Sequence, residues 1–222
     1  MADRAQEKRL VDLSHVIVDG MTTYEGLPGP HICDYWTREG SAGFYDDGST
    51  FQIGRIDMVA NTGTYVDAPF HRFADGADLA ALDLARLASL EGLAVRHPGP
   101  AIGAEAFEGL DVAGKAVLVH SGWDRHWGSD AYFDGHPFLT ADAARLLADG
   151  GAALVGIDSH NIDDTAARAR PVHTILLGAG TLVCEHLTNL GALPDSGFRF
   201  TAVPPKVKGM GTFPVRAFAE IG

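Results

Sequence analysis

The clearest pattern along the chain is a series of short apolar runs, rich in β-branched residues and separated by polar or glycine-containing segments. Runs of this kind are typical of β-strands, and those without polar residues predict strands buried on both faces of a sheet. The predicted strands are Leu10–Val18, Ile53–Ala60, Leu93–His97, Ala116–His120, Ala153–Asp158, Thr181–Glu185, Pro204–Lys208 and Val215–Phe218.

A second pattern, with apolar residues three or four positions apart, predicts helices between these strands. Leucines recur at this spacing in Ala77–Leu90, and Thr140 is a good N-cap for a helix over Ala141–Asp149. Shorter helical segments are predicted at Glu105–Leu110 and His173–Leu177. Strands outnumber helices, so we expect an α/β protein with a mixed sheet, folded as one domain over residues 1–222.

Composition narrows the classes of partner. The chain has 222 residues and a formal net charge of −12, which argues against nucleic acid and against an anionic membrane surface. We therefore expect a small-molecule partner. The two cysteines are far apart, no signal peptide is apparent, and no apolar run approaches the length of a membrane span, so we expect a cytoplasmic protein.

The run Asn61-Thr-Gly-Thr-Tyr-Val-Asp-Ala-Pro-Phe-His71 combines backbone-shaping residues with reactive side chains. Gly63 can adopt a positive φ, and Pro69 fixes its own φ and favours extended backbone before it. We expect a rigid loop that presents Asp67 and His71 at the end of a strand. From the residues alone, Asp67 binding loop amides and Asp67 binding a metal are equally compatible with this run.

Two further residues can bind a metal, although sequence alone does not bring them together. His173 lies at a predicted helix start, where a surface histidine is the simpler interpretation. Glu185 ends an apolar strand, where an unpaired carboxylate would be costly, so a cation or hydrogen-bond donors must lie near it.

These residues resemble the motifs of the cyclase family of metal-dependent hydrolases, which contains bacterial kynurenine formamidases and isatin hydrolases. Its signature is H-x-G-T-H-x-D-x-P-x-H, and the corresponding run here is residues 61–71. The likeness extends to four other segments in the same order. They are Asp12-Leu-Ser-His15, Gly156-Ile-Asp158 with Ile162-Asp163, His173 to Glu185, and Pro214-Val-Arg-Ala217.

The resemblance implies a fold, an assembly and a set of roles. The family fold is a mixed β-sheet sandwich with flanking helices, sometimes called swivelling β/β/α, and its members usually form homodimers or homotetramers. By position, Asp67, His173 and Glu185 are implied as metal ligands and His71 as the catalytic acid and base. Asn61 and Tyr65 replace two motif histidines that are metal ligands in the family.

These replacements change the expected metal. An amide oxygen is a weak zinc ligand, and a phenol must lose a proton before it binds zinc well. With Asn61 contributing its carbonyl oxygen, the site becomes oxygen-rich, which suits manganese better than zinc and also allows magnesium. Alternatively, the metal has been lost, and Asn61 and Tyr65 donate hydrogen bonds to a substrate oxyanion. His160 is a less favoured replacement ligand, since a polar loop histidine is more often solvated.

The expected reaction is hydrolysis of an amide, lactam or lactone by metal-activated water, with His71 as general base and then acid and Tyr65 near the oxyanion. Two other functions remain open. One is an inactive relative that binds a small molecule, and the other is a metal-free lyase or isomerase using Tyr65 and His71. The loop Tyr24–Pro30 and the aromatic residues Trp36 and Phe70 are expected near the pocket.

Overall fold

A nine-stranded mixed sheet forms the centre of the structure, a computed structural model that describes residues 8–222. Two further pairs of strands lie outside it. In chain order, the strands are β1 (Arg9–Asp12), β2 (His31–Trp36), β3 (Ile53–Asp57), β4 (Tyr65–Asp67), β5 (Leu90–Arg96), β6 (Ala101–Ile102), β7 (Ala116–His120), β8 (Phe138–Leu139), β9 (Leu154–Ile157), β10 (Leu182–Glu185), β11 (Phe198–Thr201), β12 (Thr212–Pro214) and β13 (Phe218–Ile221).

The large sheet has the order β1-β13-β11-β5-β7-β9-β10-β4-β12. Its centre, from β5 to β10, is parallel, whereas the strands on either side pair antiparallel. The central strands are the ones with uninterrupted apolar sequence, as expected for strands covered on both faces. The predicted α/β class with a mixed sheet is confirmed.

Two α-helices, α1 (Ala141–Asp149) and α2 (Pro171–Gly178), pack on one face of the sheet. The Thr140 hydroxyl accepts a hydrogen bond from the Ala143 amide, so the predicted N-cap of α1 is confirmed. None of the described helices is long and apolar enough to cross a membrane. Short 3-10 helices occur at Pro69–His71, Leu84–Arg86, Ala104–Ala106, Trp123–His126, Asp130–Tyr132 and Leu190–Ala192.

The alternation of side chains along the central strands divides the core into two layers. Leu118 and Leu154 point to one face of the sheet, where Leu13, Ala217 and the 187–193 segment pack on them. Val117 and Val155 point to the opposite face, beneath α1 and α2. Because neighbouring residues of a strand face opposite sides, each strand contributes to both layers.

Strand β4 lies inside the sheet, between β10 and β12. Tyr65 is paired with Glu185 of β10, and Asp67 is paired with Thr212 of β12. Residues 65–67 were expected in a rigid loop after the strand at Ile53–Ala60, and this prediction is wrong in part. The strand end that carries Asp67 belongs to β4 itself, and pairing on both sides is what makes it rigid.

Strands β2 and β3 form a separate antiparallel hairpin. Its loop carries an aromatic cluster in which Trp36 packs against Phe44 and Phe51. Apolar side chains along the hairpin remain in solvent, and they are Ile32, Tyr35, Ile53 and Ile56. Sequence reasoning missed β2, because it lacks the buried apolar pattern of the other strands.

Four other predictions are wrong. Ala77–Leu90 forms turns and one 3-10 helix instead of a longer helix, because the carboxylates of Asp78 and Asp83 accept hydrogen bonds from nearby amides and close local turns. Pro204–Lys208 is not a strand and lies in the connection between β11 and β12. Val215–Phe218 is not a strand either, because residues 215–217 connect β12 to β13 and only Phe218 belongs to β13. The strand predicted at Leu10–Val18 ends at Asp12.

Candidate functional site

Three strands and one helix start bring the predicted site residues together. Tyr65 and Asp67 are two positions apart on β4, so both side chains point to the same face of the sheet. Glu185 is the last residue of β10 beside them, and His173 lies in the first turn of α2 above them. Gly63, at φ 66°, makes the turn that leads into β4, as its place in the motif predicts.

Asp67 is fully buried and only partly satisfied by hydrogen bonds. Its Oδ1 accepts a hydrogen bond from the Thr212 hydroxyl. Its Oδ2 has no hydrogen-bond partner among the described residues, although it is inaccessible to solvent. An unpaired buried acceptor costs about 1–3 kcal/mol, so this oxygen requires a cation or a donor. The interpretation that Asp67 only binds loop amides does not account for Oδ2.

His173 is oriented by Asp163. The Asp163 carboxylate accepts the backbone amides of Val172 and His173, at 2.8 and 3.0 Å, and thereby caps α2. Its Oδ2 also lies 2.7 Å from Nδ1 of His173, which assigns the proton to Nδ1. Sequence reasoning gave Asp163 no role, because it lies eight positions before the first residue of α2 and outside the local N-cap pattern.

The other ring nitrogen of His173 faces the two remaining carboxylates. Nε2 is 3.6 Å from Oδ2 of Asp67 and 3.6 Å from Oε1 of Glu185. Burial disfavours the charged imidazolium, but Glu185, Asp163 and Asp67 outweigh it and raise the pKa of His173 to about 10. Burial also raises the pKa of Glu185 to about 7, against the opposing effect of His173. The cluster therefore attracts positive charge, whether a proton or a metal cation.

His71 sits at the edge of this cluster, with its side chain 35% exposed. Its Nδ1 is 2.8 Å from the Thr212 hydroxyl oxygen and 3.5 Å from Oδ1 of Asp67. Because Thr212 donates its only hydroxyl hydrogen to Asp67, its oxygen must accept from Nδ1 of His71. In the neutral imidazole, Nε2 is therefore the nitrogen without a proton, which is the tautomer a general base needs.

The backbone of His71 is also fixed from behind by Gly211. A Cβ at position 211 would lie 2.3 Å from the backbone nitrogen of His71, so only glycine allows this approach. The segment before β12 thus packs directly on the residue that carries the predicted acid and base.

The donor set fits a divalent cation. Asp67, His71 and His173 each offer a ligand atom, and these atoms lie within 4.8 Å of one another. Glu185 adds an oxygen beside His173. Carboxylate oxygens with imidazole nitrogen are suitable ligands for manganese, zinc or magnesium. The unpaired Oδ2 of Asp67 gives the fit independent support.

A pocket opens over this cluster, with a volume of about 230 Å³. Tyr24 and Leu27 line it, which confirms that the Tyr24–Pro30 segment borders the site. Asn61 and Asn161 also line it. Trp36 and Phe70 do not, so the expectation for these two aromatic residues is wrong within the described chain; Trp36 packs inside the hairpin loop instead.

Comparison with known proteins gives a consistent result. The family model described as "Putative cyclase" matches residues 11–164. The chain belongs to the cyclase family. A kynurenine formamidase of Bacillus mycoides strain KBAB4 is 26% identical over 217 residues, covering 93% of this chain and 95% of the relative.

Solved structures show the same fold. A structure described as a potential metal-dependent hydrolase with cyclase activity superposes with a TM-score of 0.78 at 26% identity, covering 97% of this chain and 98% of that one. An isatin hydrolase bound to the product analogue thioisatinate gives a TM-score of 0.81 at 22% identity, covering 97% and 93%. The expected cyclase-type α/β fold is confirmed.

This cyclase-family chain departs from the family motif at two positions that contact each other. Tyr65 donates a hydrogen bond of 2.6 Å to Oε2 of Glu185. The Asn61 side chain lies beside Tyr65 in the pocket and favours the ionised phenol slightly. Burial, together with the charges of Glu185 and Asp67, raises the pKa of Tyr65 well above its ordinary value, so the phenol remains protonated. The two replacements thus lie side by side, and Tyr65 connects them to Glu185 through its hydrogen bond.

Two other histidines, His160 and His186, are buried near Tyr24 and Tyr65. The expectation that His160 is solvated is wrong: its side chain is buried beside Tyr24, Phe133 and His136. His186 does not continue β10, because it adopts a φ of 57°, and its Nε2 donates to the His160 carbonyl at 2.7 Å. His186 is completely buried and packs against Tyr65 and Trp127.

The buried state of His160 predicts a loss of stability in acid. Burial lowers its pKa from 6.5 to about 3, so below pH 6.5 the unfolded chain binds a proton that the folded chain does not. We expect the free energy of unfolding to decrease as the pH is lowered from 7 to 5. In His160→Phe this decrease should be smaller than in the wild type by about 1–2 kcal/mol. Denaturant unfolding of both proteins at the two pH values measures this. An equal decrease in both would contradict it.

Proposed function

We propose that this protein is a metal-dependent hydrolase that cleaves or opens an amide, lactam or lactone. The observation that carries the proposal is the buried, unpaired Oδ2 of Asp67 facing His173, next to a His71 held as a base. The kynurenine formamidase relative, whose name denotes amide hydrolysis, supports the same reaction class. A C–N bond outside a peptide is therefore the favoured target.

We propose that Asp67, His173 and Glu185 bind one divalent ion, with the carbonyl oxygen of Asn61 as a further ligand. One ion is favoured over two, because the neutral Tyr65 phenol donates a hydrogen bond to Glu185 and is a poor ligand for a second ion. The oxygen-rich set favours manganese over zinc, with magnesium as an alternative. When bound, such an ion polarises a carbonyl group and increases the acidity of a water molecule.

His71 provides the proton transfer. Its Nε2 accepts a proton from water as the water oxygen bonds to the carbonyl carbon of the substrate. The same nitrogen then gives the proton to the departing nitrogen or oxygen as the bond to the carbonyl carbon breaks. The Thr212 hydroxyl keeps Nδ1 protonated throughout, so one tautomer serves both steps.

We propose that Tyr65 is a functional residue of the site. In the structure its hydroxyl hydrogen goes to Glu185, so reaching a substrate oxyanion would require that hydrogen bond to be exchanged. We therefore propose that Tyr65 chiefly orients Glu185. The metal-free lyase or isomerase gains no support from this arrangement, because it needs a free Tyr65 hydroxyl.

We further propose that the protein forms a homodimer or homotetramer in the cytoplasm. The β2–β3 hairpin supports the assembly, because it is a two-stranded sheet with exposed Ile32, Ile53 and Ile56. A two-stranded hairpin is at best marginally stable alone in water, and a second copy of the chain would cover these side chains.

Removal of the Asp67 charge tests the metal site. We expect the purified protein, supplied with manganese, to contain about one ion per chain, and Asp67→Asn to lose both the ion and turnover, because the unpaired Oδ2 is replaced by an amide. Elemental analysis measures the metal content. Asp142→Asn, on an exposed position of α1, is the charge-matched control and should retain the ion. Wild-type protein that holds no metal would rule out this proposal.

Replacement of His71 separates hydrolysis from simple binding. His71→Ala should lower kcat by about 10²- to 10⁴-fold, because proton transfer is lost. Metal content should remain near one ion per chain, since His71 is assigned to proton transfer. Steady-state assays on arylformamides together with elemental analysis provide both readouts. Unchanged turnover in the variant would contradict the role of His71, and loss of the ion would make His71 a ligand instead.

The hairpin surface predicts the assembly state. Ile56→Asp places a charge on the exposed face of β3 and should convert the oligomer into a monomer, because the charge would be buried against the second copy. Light scattering during size-exclusion chromatography measures the molar mass. A wild-type protein that already elutes as a monomer would contradict the prediction.

A further inference from the structure

The mouth of the pocket is cationic, whereas its floor is acidic. Arg72, directly after His71, and Arg170, directly before α2, line the same opening as Asn61 and Tyr24. The carboxylates of Asp67 and Glu185 lie below them, fully buried. In a chain with a net charge of −12, two guanidinium groups at one opening are a local reversal of sign.

Neither guanidinium group is neutralised by a carboxylate of the described chain. Among residues 8–222, the arginines in ion pairs are Arg96, Arg145 and Arg216, all of them elsewhere on the surface. The positive charge of Arg72 and Arg170 is therefore available to an anion that enters the pocket.

The guanidinium group of Arg72 is hydrogen-bonded through its Nε only, within the described residues. Its Nε donates to the Thr174 hydroxyl at 3.0 Å. Thr174 in turn donates to the carbonyl oxygen of Arg170 at 2.8 Å, which fixes that hydroxyl at the start of α2. No other hydrogen bond of the Arg72 side chain is formed within residues 8–222. Its two terminal nitrogens are thus free, and a guanidinium edge of this kind binds a carboxylate through two parallel hydrogen bonds.

Arg170 has a different role. Its Nη1 donates to the carbonyl oxygens of Asp164, Ala167 and Ala169. These contacts fold the segment before α2 into the wall of the pocket. Arg170 therefore adds charge to the opening, while Arg72 has the free donors.

The size of the pocket limits the ligand. An apolar cavity of about 150 Å³ holds benzene. A volume of about 230 Å³ thus accommodates one ring with short substituents, or an aliphatic compound of similar size.

We propose that the substrate is a small amide, of about one ring, that also carries a carboxylate, and that Arg72 binds this carboxylate while the amide carbonyl lies over Asp67 and His173. This inference rests on the proposed hydrolase function and specifies its substrate class. It assigns Arg72 as a specificity-determining residue at the pocket mouth.

Matched substrates test the inference on the full chain supplied with manganese. Formanilide is the neutral amide, and the three ring isomers of formamidobenzoate are its carboxylated counterparts. We expect at least one isomer to exceed formanilide in kcat/KM, and Arg72→Gln to reduce that preference by about 10- to 100-fold, as for loss of a charged hydrogen bond. Arg145→Gln removes the same charge from an exposed site on α1 and should leave the preference unchanged.

Binding of benzoate and benzamide, measured by calorimetry, gives a readout that does not depend on turnover. Benzoate should bind more tightly than benzamide, and this difference should shrink in Arg72→Gln. Equal hydrolysis of formanilide and all three formamidobenzoates would overturn the inference and leave the hydrolase function intact. Arg72-dependent benzoate binding without hydrolysis of any amide would support the carboxylate site and overturn the proposed reaction. Benzoate binding that survives Arg72→Gln but is lost in Asp67→Asn would place the carboxylate on the metal and overturn the inference.

Discussion

The burial of three carboxylates around one imidazole is the constraint on which the site depends. Asp67, Asp163 and Glu185 have almost no solvent exposure, and His173 lies among them. Uncompensated charges in such a place would cost several kcal/mol each. Asp163 is satisfied by the start of α2, and Glu185 by Tyr65 and the Ile162 amide. Asp67 alone keeps an unpaired oxygen, and the proposed function begins from that oxygen.

The same constraint explains why the two motif departures occur together. A tyrosine at position 65 next to Glu185 would be unfavourable as a phenolate, because two negative charges would share a buried site. As a neutral phenol it donates a hydrogen bond to Glu185, and Asn61 beside it carries no charge. The pair therefore keeps Glu185 hydrogen-bonded while it replaces two imidazole ligands of the family motif with an amide and a phenol. The carboxylates at the bottom of the pocket remain, and the Arg72 guanidinium group makes the pocket opening positively charged.

The sequence predicted the fold where burial imposes a simple pattern. The apolar runs of β7, β9 and β10 identified the parallel centre, and Thr140 identified the start of α1. Ala77–Leu90 misled because its leucine spacing is helical, whereas Asp78 and Asp83 close turns that spacing does not reveal. The family motifs indicated Asp67, His71, His173 and Glu185. Their convergence, and the positioning roles of Asp163 and Thr212, depend on pairings between distant segments that no local pattern encodes.

The pairing of β12 with β4 has a consequence for biosynthesis. Thr212 is 145 positions after Asp67, yet it fixes both that carboxylate and the tautomer of His71. The parallel centre of the sheet ends in sequence at Glu185, so all four of its strands are synthesised before this threonine. The acid–base machinery therefore cannot assemble until Thr212 has been synthesised, after all four strands of the parallel centre.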